Sequence, residues 1–144
     1  MGNTSGIHLW LVLWKAYSTL RARADQSIAS LDLNWSDFAV LEVLLHKGPL
    51  PVNTIGPKVM LTSGSISVAV DRLVRRGLVS RENVESDRRA RVVHLTEAGR
   101  TLIECAFAQH AEAMEAATEG LSKAERLQTI ALLKKLGRFA ESAS

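Results

Sequence analysis

The sequence predicts a mainly α-helical α+β fold with a single two-stranded β-hairpin. Three observations support this prediction. Apolar residues recur at steps of three and four through most of the chain, which is the spacing of amphipathic helices. Ser, Thr and Gly stand at the ends of these periodic segments, where helix caps are expected. Only residues 78–95 contain two β-prone runs joined by a polar connection, and a chain of 144 residues has the length of one domain.

The first two helices are predicted from an apolar stripe and from a cap. Residues 7–31 carry apolar side chains on one face of a long helix, and this face has to be buried against another surface. The second helix is expected to begin with Ser36 as its N-cap and to end near Lys47, before Gly48 and Pro49.

A third, short helix is expected over residues 52–59. Gly56 and Pro57 both disfavour the interior of a helix and could confine or break it. The fourth helix is expected to have Thr62 or Ser63 as its N-cap and to end at Gly77.

The fourth helix has the pattern expected of a helix that enters a DNA groove. Such a helix must present small or hydrogen-bonding side chains in its first turns, because bulky apolar groups would block the base edges. The residues that meet this need are Thr62, Ser63, Gly64, Ser65 and Ser67. The apolar positions expected to be buried are Ile66, Val70 and Leu73, and those expected to face outward are Ser65, Ser67, Val68 and Arg72. The same Ser/Thr cluster could be only a helix cap, but the hairpin that follows favours the groove.

The hairpin is predicted from residues 78–84 and 91–95, with residues 85–90 as an exposed tip. Arg88 and Arg89 at this tip can reach phosphates or enter a narrow minor groove. Asp87 fits this surface if it accepts hydrogen bonds from a neighbouring arginine or from turn amides and so fixes the shape of the tip. The alternative is a solvated charged turn, although ordinary hairpin tips favour Gly and Asn.

Two further helices complete the chain. Thr96 is expected to cap a long fifth helix that Gly120 closes. Ser122 and Glu125 have the spacing of a capping box, which opens a sixth helix running to about Ala140.

The composition favours an anionic partner and gives no sign of catalysis. The net charge is +3, and nine of the 18 Lys and Arg residues lie between Val52 and Arg100, against five of the 15 acidic ones. No nucleophile motif, phosphate loop or metal-ligand spacing is present, so we expect no enzyme activity, cofactor or metal. Cys105 is the only cysteine and is expected to be buried in the fifth helix. The apolar start is too short to span a membrane and has no basic residue before it, so the expected location is the cytoplasm.

Two segments carry a specific resemblance to a known family: LTSGSISVAVDRLVRRGLVSR and ESDRRARVVHLTEAGR. Over nearly its whole length the chain resembles the MarR (multiple antibiotic resistance regulator) family of bacterial and archaeal winged-helix transcription factors. The resemblance implies a single MarR-type domain, 1–144, with a winged helix-turn-helix lobe over residues 36–95. It also implies a helical dimerisation base from residues 7–31 and 96–141. The DNA-binding residues expected from the pattern and the resemblance are Thr62, Ser63, Ser65, Ser67, Arg72, Arg88, Arg89 and Arg91, with Asp87 structuring the wing.

The resemblance also implies how such a protein acts. Members of the family often repress transcription as homodimers on a pseudo-palindromic operator and release it when a small, frequently aromatic anion binds between the base and the lobe. Residues that could line such a pocket, with Arg21 as the counter-ion, are Trp10, Trp14, Tyr17, Arg21, Trp35 and Phe38. Aromatic residues at helical spacing could equally be core. The alternative function is a winged-helix module that binds an acidic protein surface instead of specific DNA.

Overall fold

The computed structural model describes residues 2–84 and 87–143, with the side chains of all of these except Val84 and residues 87–90. In this part of the chain, six helices and three strands follow one another: α1 Gly6–Ala29, α2 Trp35–Lys47, β1 Leu50–Pro51, α3 Val52–Val59, α4 Ser63–Arg75, β2 Val79–Val84, β3 Asp87–Leu95, α5 Glu97–Ala117 and α6 Lys123–Ser142. The predicted fold class, mainly helical with a β-hairpin, is confirmed.

The helix α2 begins two residues earlier than the sequence predicts, so the prediction of Ser36 as its N-cap is wrong. Asn34 is the N-cap, and its Oδ1 accepts a hydrogen bond from the Asp37 amide at 2.9 Å. Asp37 Oδ2 accepts one from the Asn34 amide at 3.4 Å. This reciprocal capping box satisfies two backbone donors, which a serine at position 36 alone would not do.

The short helix α3 runs through Gly56 and Pro57 and is not broken by them. Gly56 is buried, and a Cβ atom there would lie 3.0 Å from the Leu61 carbonyl oxygen. Glycine therefore allows the turn between α3 and α4 to pack closely on the end of α3.

The two ends of α4 have well-defined caps. Thr62 is the N-cap, with its Oγ1 accepting from the Ser65 amide at 3.2 Å. At the other end, Gly77 has a φ of 73° and donates to the Val74 carbonyl, while Leu78 donates to the Leu73 carbonyl, both at 3.0 Å. These two bonds define a Schellman motif, which confirms that Gly77 ends the helix.

The predicted two-stranded wing is present as the antiparallel pair β2 and β3, and a further strand joins it to give a sheet in the order β1-β3-β2. The additional strand β1 pairs Leu50 with Val93 and Pro51 with Val92. A strand of two residues has no periodicity for a sequence pattern to reveal. β3 also begins at Asp87, so most of the predicted tip, 85–90, has strand backbone instead of a loop.

The hydrophobic core lies between α4 and the helices α2 and α5, with contributions from α1, α3 and the sheet. Ile66, Val70 and Leu73 are at most 1% exposed, which confirms their expected burial. The exposed side of α4 is therefore the one that carries Ser63, Ser65 and Ser67.

Two helices leave apolar side chains uncovered. On α1, Trp10, Trp14 and Tyr17 are each 55% exposed. No residue of α6 that the structure describes is buried, and Leu127 and Phe139 are 70% and 74% exposed. Exposed apolar faces of this kind usually bind a partner.

Cys105 is exposed, so the prediction that it is buried is wrong. The buried positions of α5 near it are Ile103 and Ala106, which lie on the other side of the helix. Helical spacing shows which residues share a face of α5. It does not show which face packs on the core when both faces carry apolar and polar residues. In the described residues, no helix is long and apolar enough to cross a membrane.

Candidate nucleic-acid interface

The first turns of α4 present small polar side chains to solvent. Thr62, Ser63, Ser65 and Ser67 are all exposed, as the sequence predicts for residues that meet base edges or phosphates. The Thr62 hydroxyl also donates to Ser65 Oγ at 3.0 Å, so these two side chains fix the helix start.

Arg72 does not point outward as expected, because it binds Asp37 of α2. Its Nε and Nη2 donate to Asp37 Oδ1 at 2.9 and 2.5 Å. The Asp37 side chain is only 3% exposed and the Arg72 side chain 34%. Arg72 therefore anchors the middle of α4 to the first turn of α2. No sequence pattern identified Asp37 as its partner, since the two residues are 35 positions apart.

A second ion pair connects α4 to the hairpin. Arg81 Nη1 on β2 lies 2.6 Å from Asp71 Oδ1 on α4. The two pairs hold α4 from both sides, against α2 and against the sheet. Arg81 was not among the predicted site residues, although it stands in the segment that carries the family resemblance.

A cavity of about 610 Å³ opens between α3, the start of α4 and the hairpin. Ser63 and Ser67 line one side of it, and Arg81 and Arg91 line another. Arg91 is exposed, so its guanidinium is available to a phosphate beside the helix.

The backbone of Asp87, Arg88 and Arg89 belongs to β3, but their side chains lie outside the described part of the structure. Their predicted roles in phosphate binding and in shaping the wing stay predictions.

The six residues predicted to line an effector pocket lie on α1 and α2: Trp10, Trp14, Tyr17 and Arg21 on α1, and Trp35 and Phe38 on α2. Trp35 and Phe38 line a cavity of about 280 Å³, together with Glu42, Lys58, Phe107 and His110. Arg21 lies over the Trp35 ring, with its Cζ 5.0 Å from the ring centroid. Its guanidinium also donates hydrogen bonds to the Tyr17 hydroxyl and the Asp25 carboxylate. Trp10 and Trp14 contact each other, at 5.2 Å between ring centroids, on the uncovered half of α1.

His110 of α5 gives this smaller cavity a neutral polar group. Burial lowers the pKa of His110, so the ring is uncharged at pH 7, although the nearby Glu42 carboxylate partly opposes this effect. Ser27 donates its hydroxyl hydrogen to the Ala24 carbonyl at 2.6 Å and lies 3.4 Å from His110 Nδ1. Within the described residues, no cluster of His, Cys, Asp and Glu could hold a metal ion.

An exposed polar helix, held in place beside an arginine-bearing hairpin, defines a winged-helix DNA-binding protein. Residues 33–90 match the model of the MarR family. The chain is 36% identical over 135 residues to the HTH-type transcriptional regulator MhqR of Bacillus subtilis. This alignment covers 94% of this chain and 93% of MhqR. The chain belongs to the MarR family of winged-helix transcriptional regulators. Members of this family are regulators and not enzymes.

Solved structures agree with this assignment. A probable transcriptional regulator from Pseudomonas aeruginosa is 30% identical with a TM-score of 0.79, over 88% of this chain and 94% of that one. BpsR of Bordetella bronchiseptica, whose DNA binding is regulated by 6-hydroxynicotinic acid, is 26% identical with a TM-score of 0.83. The match covers 90% of this chain and 98% of BpsR.

Proposed function

We propose that this protein is a ligand-responsive repressor that binds a pseudo-palindromic operator as a homodimer. The observation that supports this most is the presentation of α4, whose exposed serines are held outward by ion pairs on both sides. A helix fixed in this way can enter a major groove with little loss of conformational entropy, while Arg91 and the hairpin contact the backbone.

The uncovered apolar faces of α1 and α6 support a homodimer. In this arrangement residues 7–31 and 96–141 form the dimerisation base, and residues 36–95 form the DNA-binding lobe. A twofold pair of lobes would place two α4 helices on successive turns of one duplex, about 34–36 Å apart.

We expect Ile130→Arg to convert the dimer to a monomer. Ile130 is 50% exposed in the single chain and lies among the apolar side chains of α6. A charge placed there would be desolvated in a dimer, which is strongly unfavourable. Sedimentation velocity at micromolar concentration measures the outcome. Gln128→Arg, at an exposed polar position of the same helix, is the control and should stay dimeric. A dimeric Ile130→Arg variant, or a monomeric parent, would contradict this arrangement.

The cavity between α2, α3 and α5 supports a small aromatic effector. Trp35, Phe38 and Phe107 offer faces for a ring, Lys58 offers a positive charge and His110 an uncharged imidazole. The regulation of BpsR by 6-hydroxynicotinic acid shows that a relative responds to such a molecule. Aromatic hydroxy acids, 6-hydroxynicotinic acid included, should release the protein from DNA, and failure of the whole series to do so would contradict an aromatic effector.

Substitution of both wing arginines, Arg88→Ala with Arg89→Ala, should weaken DNA binding about 10- to 100-fold at all sequences. The measurement is the affinity for a bound duplex between about 50 and 200 mM salt, where the parent protein should lose at least about 100-fold. The variant should show a shallower dependence on salt, because fewer counterions are released.

Lys123→Ala is the control for loss of a positive charge away from the wing. Lys123 is the first residue of α6. The helix α5, which has 21 residues and is therefore about 30 Å long, separates it from the hairpin. This substitution should leave the affinity unchanged. Binding that barely depends on salt would instead favour a module that recognises protein, and equal losses in the two variants would remove the wing from the mechanism.

A further inference from the structure

Val68 is an exposed apolar residue in the middle of the polar face of α4. Its side chain is 57% exposed, and it is not among the side chains packed on the hydrophobic core of the described residues. Valine is also a weaker helix former than Ala, Lys or Glu, so helix stability does not explain it.

The side chains at the neighbouring outward positions of α4 form ion pairs or hydrogen bonds within the protein. One turn beyond Val68, Asp71 is paired with Arg81 and Arg72 is paired with Asp37. One turn before it, Ser65 is engaged in the Thr62 cap. In the second turn of α4, the exposed side chains are those of Ser67 and Val68.

We propose that Val68 selects a thymine in each half-site by contact with its C5-methyl group, an inference that rests on the proposed DNA binding. The thymine methyl is the apolar group that the major groove offers. A valine placed against cytosine, guanine or adenine would desolvate a donor or acceptor without replacing its hydrogen bonds, which is unfavourable. Val68 thus favours an A·T pair through burial of a methyl group and disfavours the other bases through lost hydration.

The test uses the duplex recovered by selection with the wild-type protein, in which each thymine is replaced in turn by deoxyuridine. This exchange removes only the methyl group. We expect one position in each half-site to lose about three- to fivefold in affinity. Val68→Ala should reduce this loss to less than about 1.5-fold, and Val68→Ile should retain it. Thermal unfolding of both variants verifies that they fold like the parent.

Two results would overturn the assignment: equal deoxyuridine sensitivity of the wild type and Val68→Ala at every position, or a tightly bound duplex with no thymine preference in the half-site. Both leave the proposed function intact, since the wild-type protein still binds its selected duplex. A wild-type protein that binds no duplex would instead contradict the proposed function itself.

Discussion

Gly99→Ala should destabilise the folded protein by more than about 3 kcal/mol. Gly99 lies in the first turn of α5, where a Cβ atom would be 1.9 Å from the Leu78 carbonyl oxygen and 2.9 Å from its carbonyl carbon. Both are backbone atoms, which cannot rotate away as the end of a side chain could.

The backbone around Leu78 has little freedom to move. Its amide donates to the Leu73 carbonyl at 3.0 Å within the Schellman motif, and its carbonyl accepts from the Thr96 amide at 3.1 Å. Thr96 Oγ1 also donates to the Gly77 carbonyl at 2.7 Å and accepts from the Gly99 amide at 3.0 Å. A methyl group at position 99 would therefore separate α5 from the junction of α4 and β2.

Gly64→Ala, in the first turn of α4, is the matched control, because the same methyl group is added where the structure has room and outside the proposed dimerisation base. No atom of the described residues outside the helix backbone lies within 4 Å of its Cβ position. In the first turn of α4 this change should leave the stability unchanged or raise it by up to about 1 kcal/mol, because alanine has less conformational freedom than glycine in the unfolded chain. Urea unfolding of both variants at one protein concentration gives the comparison. A Gly99→Ala variant within 1 kcal/mol of the parent would show that α5 does not approach β2 this closely.

Asp37→Ala should destabilise by about 2–4 kcal/mol, because it leaves the half-buried Arg72 guanidinium without its partner and opens the α2 capping box. The exposed third of the Arg72 side chain moderates this cost, since water can solvate part of the charge. DNA affinity should fall as well, because α4 loses its link to α2.

Two controls separate the ion pair from the cap. Glu125→Ala removes the corresponding residue of the α6 capping box, where Ser122 is the capping partner, and should cost less than Asp37→Ala. Asp37→Ala with Arg72→Met should be less destabilised than Asp37→Ala alone, because no unpaired charge remains. If Asp37→Ala costs no more than Glu125→Ala, the ion pair does not hold α4.

Local signals in the sequence were sufficient for much of the fold. Thr96, Ser122 and Gly77 act within a few residues of the helix ends they define, so their roles could be predicted without tertiary information. The buried face of α4 was likewise predictable, because its apolar residues repeat at helical spacing. Asn34 was missed because both Asn34 and Ser36 are good N-caps, and only the position of Asp37 distinguishes them.

The candidate site was less predictable where contacts between residues far apart in the sequence determine the position of a side chain. Arg72 has the spacing of an outward residue, but a buried carboxylate on another helix binds it. The small cavity likewise combines Trp35 and Phe38 with Phe107 and His110 of α5, whose role depends on how the helices pack. The aromatic residues at the start of α1 were expected to be covered, and in the single chain they are not. A second copy of the chain would satisfy that expectation.

The most direct test of the central claim is selection of bound duplexes from a random DNA pool by the full-length protein. The claim is that two α4 helices of one dimer enter successive major grooves on one side of DNA. We expect an inverted repeat whose half-site centres are about 10 base pairs apart, protected by two protein chains per duplex. Recovery of unrelated sequences, or of a single unrepeated site bound by one chain, would contradict it.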